Sequence, residues 1–557
     1  MARAHIADKL SDEAVLAGLG YKQEFRRAFT PLQVFGIAFS IIGLLPSIAS
    51  VLASAASNGG AVAMVWGWAF ATCFILCIGM SLGELASSAP TSGGLYYLTY
   101  TLSSPRTRNI LCWIVGYAST IGTIAGIASI DWGCAVQITA AASIGSDQQF
   151  VATDAQAYGI YAAIVVSQAI VCSLGTKVLA RLQTLYVICN VLLCIVVIVA
   201  LPVATPAESK NSPSYVFGNF TNVSGWPDVF AFVLGLLAPL WTISGYDAAI
   251  HISEETSNAA SAVPWGMVSG NPSLLVPVAN TELEKVSAIA IAGVLGWAIN
   301  VTLAFCMGTD LTNLIGSPVG QPMAQIFLNS FGKTWTLVIW SFVVLVQYMM
   351  GSSQLLAASR QSFAFARDGA LPLSNLLYRF NKYTGTPVNT VWFDSLMALL
   401  VGLLALSGPA AVNAVFSISV TAQYVAFMTP IIARFAFENN FKPGPFSLGV
   451  LSAPIAAIAV VFMIVMMVVL CFPSTPQAQV PSMNYTSVVL GGIMTLAMIW
   501  YYFPVYGGVH WFQGPVSNTK ANHGRRSTEN DAETADAGLV DDGEKESADN
   551  MFQPRNR

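Results

Sequence analysis

The chain has 557 residues, of which 55% are hydrophobic and only 9% charged, and its mean hydropathy is +0.63. Soluble domains carry about 25% charged residues, so 24 basic and 28 acidic side chains cannot clothe a water-facing surface of this size. A formal charge of −4 excludes the basic footprint of a nucleic-acid binder, and an integral membrane protein is the class that remains.

The first 27 residues are polar and lack the short apolar core of a signal peptide, so insertion is expected to begin with an internal helix. About twenty apolar residues cross a bilayer as a helix. That rule predicts twelve spans, near 32–56, 61–86, 109–139, 157–174, 180–202, 228–252, 286–308, 334–360, 390–407, 411–435, 449–472 and 484–505. The expected organisation is therefore an N-terminal segment (1–30), a helical domain (31–505) and an acidic, disordered tail (506–557).

Basic residues fix the expected orientation. With the N-terminus cytoplasmic, the inner segments hold Arg26, Arg27, Arg106, Arg108, Arg181, Arg360, Arg367 and Arg434, whereas the outer loops hold only Lys210 and Lys333. Both ends are then cytoplasmic. The acceptor sequons at Asn219, Asn222 and Asn484 fall in outer loops and are candidates for glycosylation. The plasma membrane is the expected residence, with an organelle membrane as the alternative.

Residues 268–285, VSGNPSLLVPVANTELEK, interrupt an otherwise smooth approach to the seventh span, with Val-Ser at both junctions. Eighteen residues correspond to 54 nucleotides, a whole number of codons. Val-Ser can be encoded as a splice donor and Ala279-Asn280 as a branch point. The segment reads as a translated, unspliced intron, and a transcript retaining all 54 nucleotides would refute this.

No catalytic signature is present. Gly332-Lys333-Thr334 resembles the end of a phosphate loop, but Phe327 stands where that loop needs glycine. Nine cysteines without a CxxC pair and four histidines give no metal site, and no cofactor is expected. Uphill transport would then draw on an ion gradient.

The chemistry concentrates in two spans. Gly43 and Pro46 stand near the middle of the first, beside Ser40 and Ser47. Proline removes a backbone donor and clashes with the preceding turn. The sixth reads PLWTISGYDAAIHISEE, with Thr242, Ser244 and Gly245 at mid-membrane and Asp247 just beyond. A carboxylate inside a membrane is costly and marks function by default. Interrupted helices in positions one and six are the sign of an inverted-repeat transporter, whose half-helix ends bind the substrate's charged groups.

Four motifs extend this reading. ELASSAPTSGGLYY (84–97) and SRQSFAFARDGALP (359–372) are similar to signatures of the amino acid–polyamine–organocation superfamily. GYKQEFRR (20–27) and SGYDAAIHISEETSNAA (244–260) resemble the fungal amino acid/choline transporter family, especially its GABA-permease branch. The resemblance implies an all-α membrane fold with a 5+5 inverted repeat and two extra helices. It places the helix-1 break at Ser40, Ile41, Ile42 and Gly43, where N–H groups would hold a substrate carboxylate. It makes Trp241 an aromatic gate, Thr242, Ile243, Ser244 and Gly245 the helix-6 break offering carbonyls to an amino group, and Gln354 a substrate-facing residue of helix 8. The fifth span has no lysine, which some bacterial relatives use in place of sodium; Asp247 is then the first proton-coupling candidate and Glu84 the second.

The remaining polar residues read as structural. Asp131 and Asp394 are expected to be paired or near an interface, His251 to pack or hydrogen-bond, and Arg360, Arg367 and Asp368 to form an inner-face charge network. The expected activity is proton-coupled import of an amino acid, GABA first, by alternating access. Choline or a polyamine is the alternative substrate, and a non-transporting nutrient sensor the distant one.

Overall fold

The computed structural model describes residues 12–23, 27, 29–268, 288–477 and 483–516. Nearly all of residues 268–285, and the tail beyond Val516, lie outside the described residues.

Among the described residues, ten helices are long and apolar enough to cross a membrane. Two shorter apolar segments, Asp228–Thr242 and Thr486–Tyr502, occupy the places expected for the sixth and twelfth spans. In chain order the helices used below are α1 (Pro31–Ile42), α2 (Leu44–Ser57), α3 (Trp68–Ser88), α4 (Gly94–Leu102), α5 (Arg108–Gly145), α6 (Asp154–Ser173) and α7 (Thr176–Ala204). There follow α8 (Asp228–Gly235), α9 (Leu237–Thr242), α10 (Ala248–His251), α11 (Ala259–Met267) and α12 (Ala288–Cys306). The last five are α13 (Pro322–Arg367), α14 (Val388–Gly402), α15 (Pro409–Ala436), α16 (Ser452–Val469) and α17 (Thr486–Tyr502).

Helix α5 is the axis of the bundle and packs along both α13 and α15. Glycines at 116, 122 and 126 let it approach closely, because an added Cβ would meet Phe365, Gln423 and Gln354 respectively. In lipid, where no water drives helices together, such small-residue contacts supply the packing energy. Trp340 on α13 donates to the carbonyl of Gln137 at 2.9 Å, and Gln347 Nε2 donates to that of Ile130 at 2.8 Å, pinning the same interface.

The sheet content among the described residues is a two-stranded antiparallel pair, Asn58–Gly59 with Thr221–Asn222. It ties the end of the first span to the loop before the sixth. Both described chain ends lie on the opposite face, where Arg27, Arg360 and Arg367 gather; we call this the basic face.

Two expectations shift. The eighth span, read as starting near 334, belongs to a continuous run from Pro322 that kinks at Gly332, φ 70° and ψ 175°. Residues 506–516, expected to belong to the tail, are instead packed on the bundle. Trp113 lies 5.9 Å from Trp511 and 5.1 Å from Phe512, the Phe512 carbonyl accepts from Asn109, and Val516 N–H donates to Asp368 at 3.0 Å. Trp511 and Phe512 have apolar surface to bury, which the acidic stretch after them does not.

Candidate functional site

The first span is broken at Gly43, φ +43° and ψ 59°, between α1 and α2. An L-residue there would be strained, and its Cβ would sit 2.8 Å from Met350 Sδ. Helix geometry leaves the first N–H groups of a helix without internal partners. The Gly43 N–H already donates to Phe39, Pro46 has none and the Leu45 N–H is bonded to the Cys194 thiol, which leaves the Leu44 N–H as the donor at this break. The donor thus lies just after the stretch 40–43 named from the sequence. At the other side of the break the Ile42 carbonyl is taken by Ser47 Oγ at 2.7 Å.

The sixth span stops at Thr242 and resumes as α10 at Ala248. Between them Gly245 adopts φ +76°, and an added Cβ would collide with Ile41 Cγ2 and approach Gln354 Oε1 at 3.4 Å. This places the two breaks and Gln354 in one spot. Ser244 Oγ donates to the Trp241 carbonyl at 2.6 Å, while Ile243 N–H still closes the last turn onto Pro239. The Trp241 indole donates to Ser129 Oγ on α5 at 3.1 Å and lies 4.6 Å from the Phe416 ring on α15.

Polar atoms around the breaks are buried without a hydrogen-bond partner: Ser40 Oγ, Thr242 Oγ1 and Gln423 Oε1. Native proteins satisfy nearly all buried polar atoms, so these three, among the unpartnered atoms of the described residues, leave bonding capacity beside the two broken helices. Gln354 itself makes only a 3.4 Å bond to the Thr123 carbonyl.

On the face away from the basic residues, a cavity of about 530 Å³ runs down from Phe150 and Pro318 to Trp132, Val412 and Phe416. The Phe416 and Trp241 rings separate it from the breaks. The basic face is closed by buried ion pairs. Arg367 grips Glu254 through both guanidinium nitrogens at 3.2–3.3 Å, and Arg360 Nε bonds Glu255 at 2.8 Å. Thr91 and the Ser92 N–H add donors to Glu254, and Arg367 lies 4.2 Å above the Tyr21 ring. Arg27 bonds Asp12 and the Thr256 carbonyl, drawing the N-terminal segment into the same closure. Asp368 accepts from Tyr96 at 2.7 Å and from Val516, yet burial pushes its carboxyl up to about 6.

The two coupling candidates have different surroundings. Glu84 receives four donors: Arg434 at 2.6 Å, Ser452 at 2.6 Å, Ser447 at 3.0 Å and the Leu448 N–H at 3.1 Å. Four donors occupy the acceptor sites of a carboxylate. Asp247 lies at the start of α10, buried, with Gln423 Nε2 at 3.4 Å and His251 Nε2 at 3.5 Å. Asp131 and Asp394 stand apart from the breaks, each bonded by one neutral donor, Gln168 at 2.9 Å and Ser362 at 2.7 Å. The sequence predicts them paired or near an interface; instead both are buried and bonded to neutral side chains on neighbouring helices.

Sequence reasoning passed over Phe416, Ser129 and Gln423. They lie on helices that read as ordinary spans, and their role appears only once α5 and α15 are seen to flank the breaks. Among the described residues no group of three potential metal ligands comes together.

The family model described as amino acid permease matches residues 29–494. The chain belongs to the amino acid permease family. This permease is 37% identical over 518 residues to the GABA-specific permease of Saccharomyces cerevisiae, covering 92% of this chain and 87% of that one. An uncharacterized amino-acid permease of Schizosaccharomyces pombe is also 37% identical, over 91% and 88% of the two chains. An amino-acid permease of Arabidopsis thaliana is 32% identical, over 91% and 97%. The relatives are transporters, so this permease is a multi-pass membrane transporter of the amino acid class and not an enzyme.

Proposed function

We propose that this permease is a secondary active importer of a small amino acid, GABA first, driven by protons through alternating access in the plasma membrane. Convergence of two glycine-centred breaks on Gln354, with orphaned hydroxyls at Ser40 and Thr242, carries the reading. A substrate with a carboxylate and an ammonium group fits both ends of such a site. The positive end of α2, at Leu44, attracts the carboxylate, and the negative end of α9 offers the carbonyls of Thr242 and Ile243 to the ammonium. The similarity to a GABA-specific permease supports the substrate.

In this reading the twelve apolar segments form two inverted repeats and two further helices. The basic face is cytoplasmic, and the 530 Å³ cavity is the entry from outside. Substrate passes Phe416 and Trp241, after which the Glu254–Arg367 and Glu255–Arg360 pairs part to release it. Asp247, buried within one turn of the break with its two neighbours at 3.4 and 3.5 Å, is the proton carrier we favour over Glu84.

A cationic substrate, choline or a polyamine, is the second reading. The Trp241–Phe416 pair and Asp247 offer it an aromatic surface and one carboxylate. The experiment is uptake of labelled GABA by permease-deficient yeast expressing the chain with and without residues 268–285, at acidic and neutral outside pH. Saturable uptake that rises with acidity is expected. A surface-resident protein that admits choline or polyamines and not GABA would refute the substrate assignment.

A further inference from the structure

We propose that His251 is the proton relay between Asp247 and the basic face, an inference that rests on Asp247 being the coupling acid. The two side chains are one helical turn apart on α10, with His251 Nε2 3.5 Å from Asp247 Oδ2 and both buried. His251 Nδ1, on the other edge of the ring, is buried with no hydrogen-bond partner. It faces Gly94 at the start of α4, where an added Cβ would come within 3.9 Å. A histidine held only for structure would be expected to satisfy at least one ring nitrogen; here neither makes a hydrogen bond, Nε2 standing 3.5 Å from the acid and Nδ1 facing no partner.

The surroundings leave the ring available. The helices α1 and α11 that pack on α10 carry no titratable side chain. On α13 and in the turn Ser253–Glu255, Arg360 and Arg367 are committed to Glu255 and Glu254. Tyr96 on α4 is committed to Asp368. The acid facing His251 is therefore Asp247, and nearby cations are neutralised by their own partners.

The transfer balances as follows. With the neutral ring protonated on Nδ1, the Asp247 O–H bond breaks as an Nε2–H bond forms, leaving a carboxylate and an imidazolium. When Glu254 and Arg367 separate, water reaches Nδ1, its N–H bond breaks, and the proton leaves as hydronium. The tautomer resets while the face is open: one water at the Nε2 edge takes that hydrogen, a second water gives one to Nδ1, and the hydronium and hydroxide formed recombine, so no net proton moves. Proton release is thereby tied to the opening that releases substrate.

The test reconstitutes the full chain in vesicles loaded with a pH dye and follows labelled GABA. Net uptake driven by a pH gradient is compared with exchange of internal for external GABA at equal pH, which needs no proton release. His251→Gln is expected to lower gradient-driven uptake and lumenal acidification roughly a hundredfold, the scale of a lost acid–base group, while exchange continues. His251→Asn serves as the second variant should Gln impair folding. Acidification in either folded variant equal to that of the unmodified chain would overturn the relay. Loss of exchange in both would assign His251 to packing and overturn it too. Uptake by the unmodified chain without acidification would instead overturn the coupling role of Asp247, a separate failure.

Discussion

Replacing Gly245 by alanine tests whether the helix-6 break shapes the site. At φ +76° an L-residue costs on the order of 1–2 kcal/mol in backbone strain. The new methyl would also land on Ile41 Cγ2, which cannot swing aside because a β-branched side chain is confined at χ1. Overpacking of this kind costs roughly 1–3 kcal/mol more. The sum, about 2–5 kcal/mol, can be relieved only by moving the two breaks apart, which separates the donor at Leu44 from the carbonyls at Thr242. The expected outcome is a KM for GABA raised at least tenfold, since about 1.4 kcal/mol corresponds to that factor. Gly159→Ala is the control: it lies inside α6 with nothing within 4 Å of the added Cβ, and alanine there favours the helix by up to about 1 kcal/mol. Uptake kinetics of surface-expressed protein give the answer. A Gly245→Ala permease with unchanged KM and maximal rate would refute the placement of the site at this break.

Glu84→Gln should lower the unfolding temperature in detergent, losing about 3–5 kcal/mol as Arg434 keeps its charge without a counter-ion; loss of pH dependence in uptake at unchanged stability would instead return Glu84 to the coupling role. Asp368 holds its proton to about pH 6 against an ordinary 3.8, so the folded state binds more protons than the unfolded state in between. Its contribution is full below 3.8 and lost as pH rises through 6, so the stability of the unmodified chain relative to Asp368→Asn should fall over that window, and a flat difference would refute the assignment. Glycan attachment should depend on Asn219, whose side chain is exposed, and gel mobility should change only with Asn219→Gln. Asn222 and Asn484 already spend both amide hydrogens on backbone carbonyls or Asp228.

The positions of the two breaks were legible because they depend on local chemistry. A glycine and a proline three residues apart, or a Ser-Gly-Tyr-Asp run, inside an apolar stretch leave little choice of backbone. Gln354 can be counted back from the Arg367 motif because the helix between the two is continuous, and it lies beside Gly245. What sequence did not give was the partner of each buried polar group. Glu84 reads as a lone acid until Arg434, 350 positions later, is seen to close on it. Gln423 and Ser129 look like routine polar insertions in apolar helices, since the face they present is decided by how α5 and α15 rotate against α9. The break in the sixth span is readable, but not how little helix follows it: α8 and α9 end after Thr242, and the residues beyond the break form only the short α10.

The packed segment that ends at Val516 bears on how the molecule can be handled. Trp511 and Phe512 stack on Trp113, and the next few residues reach Asp368 at the closed face. A fluorescent reporter joined after Val516 leaves this anchor whole. One joined at residue 505, where the last apolar run stops, would unseat two aromatic rings and strip a donor from Asp368, so its signal would describe a transporter with a loosened exit.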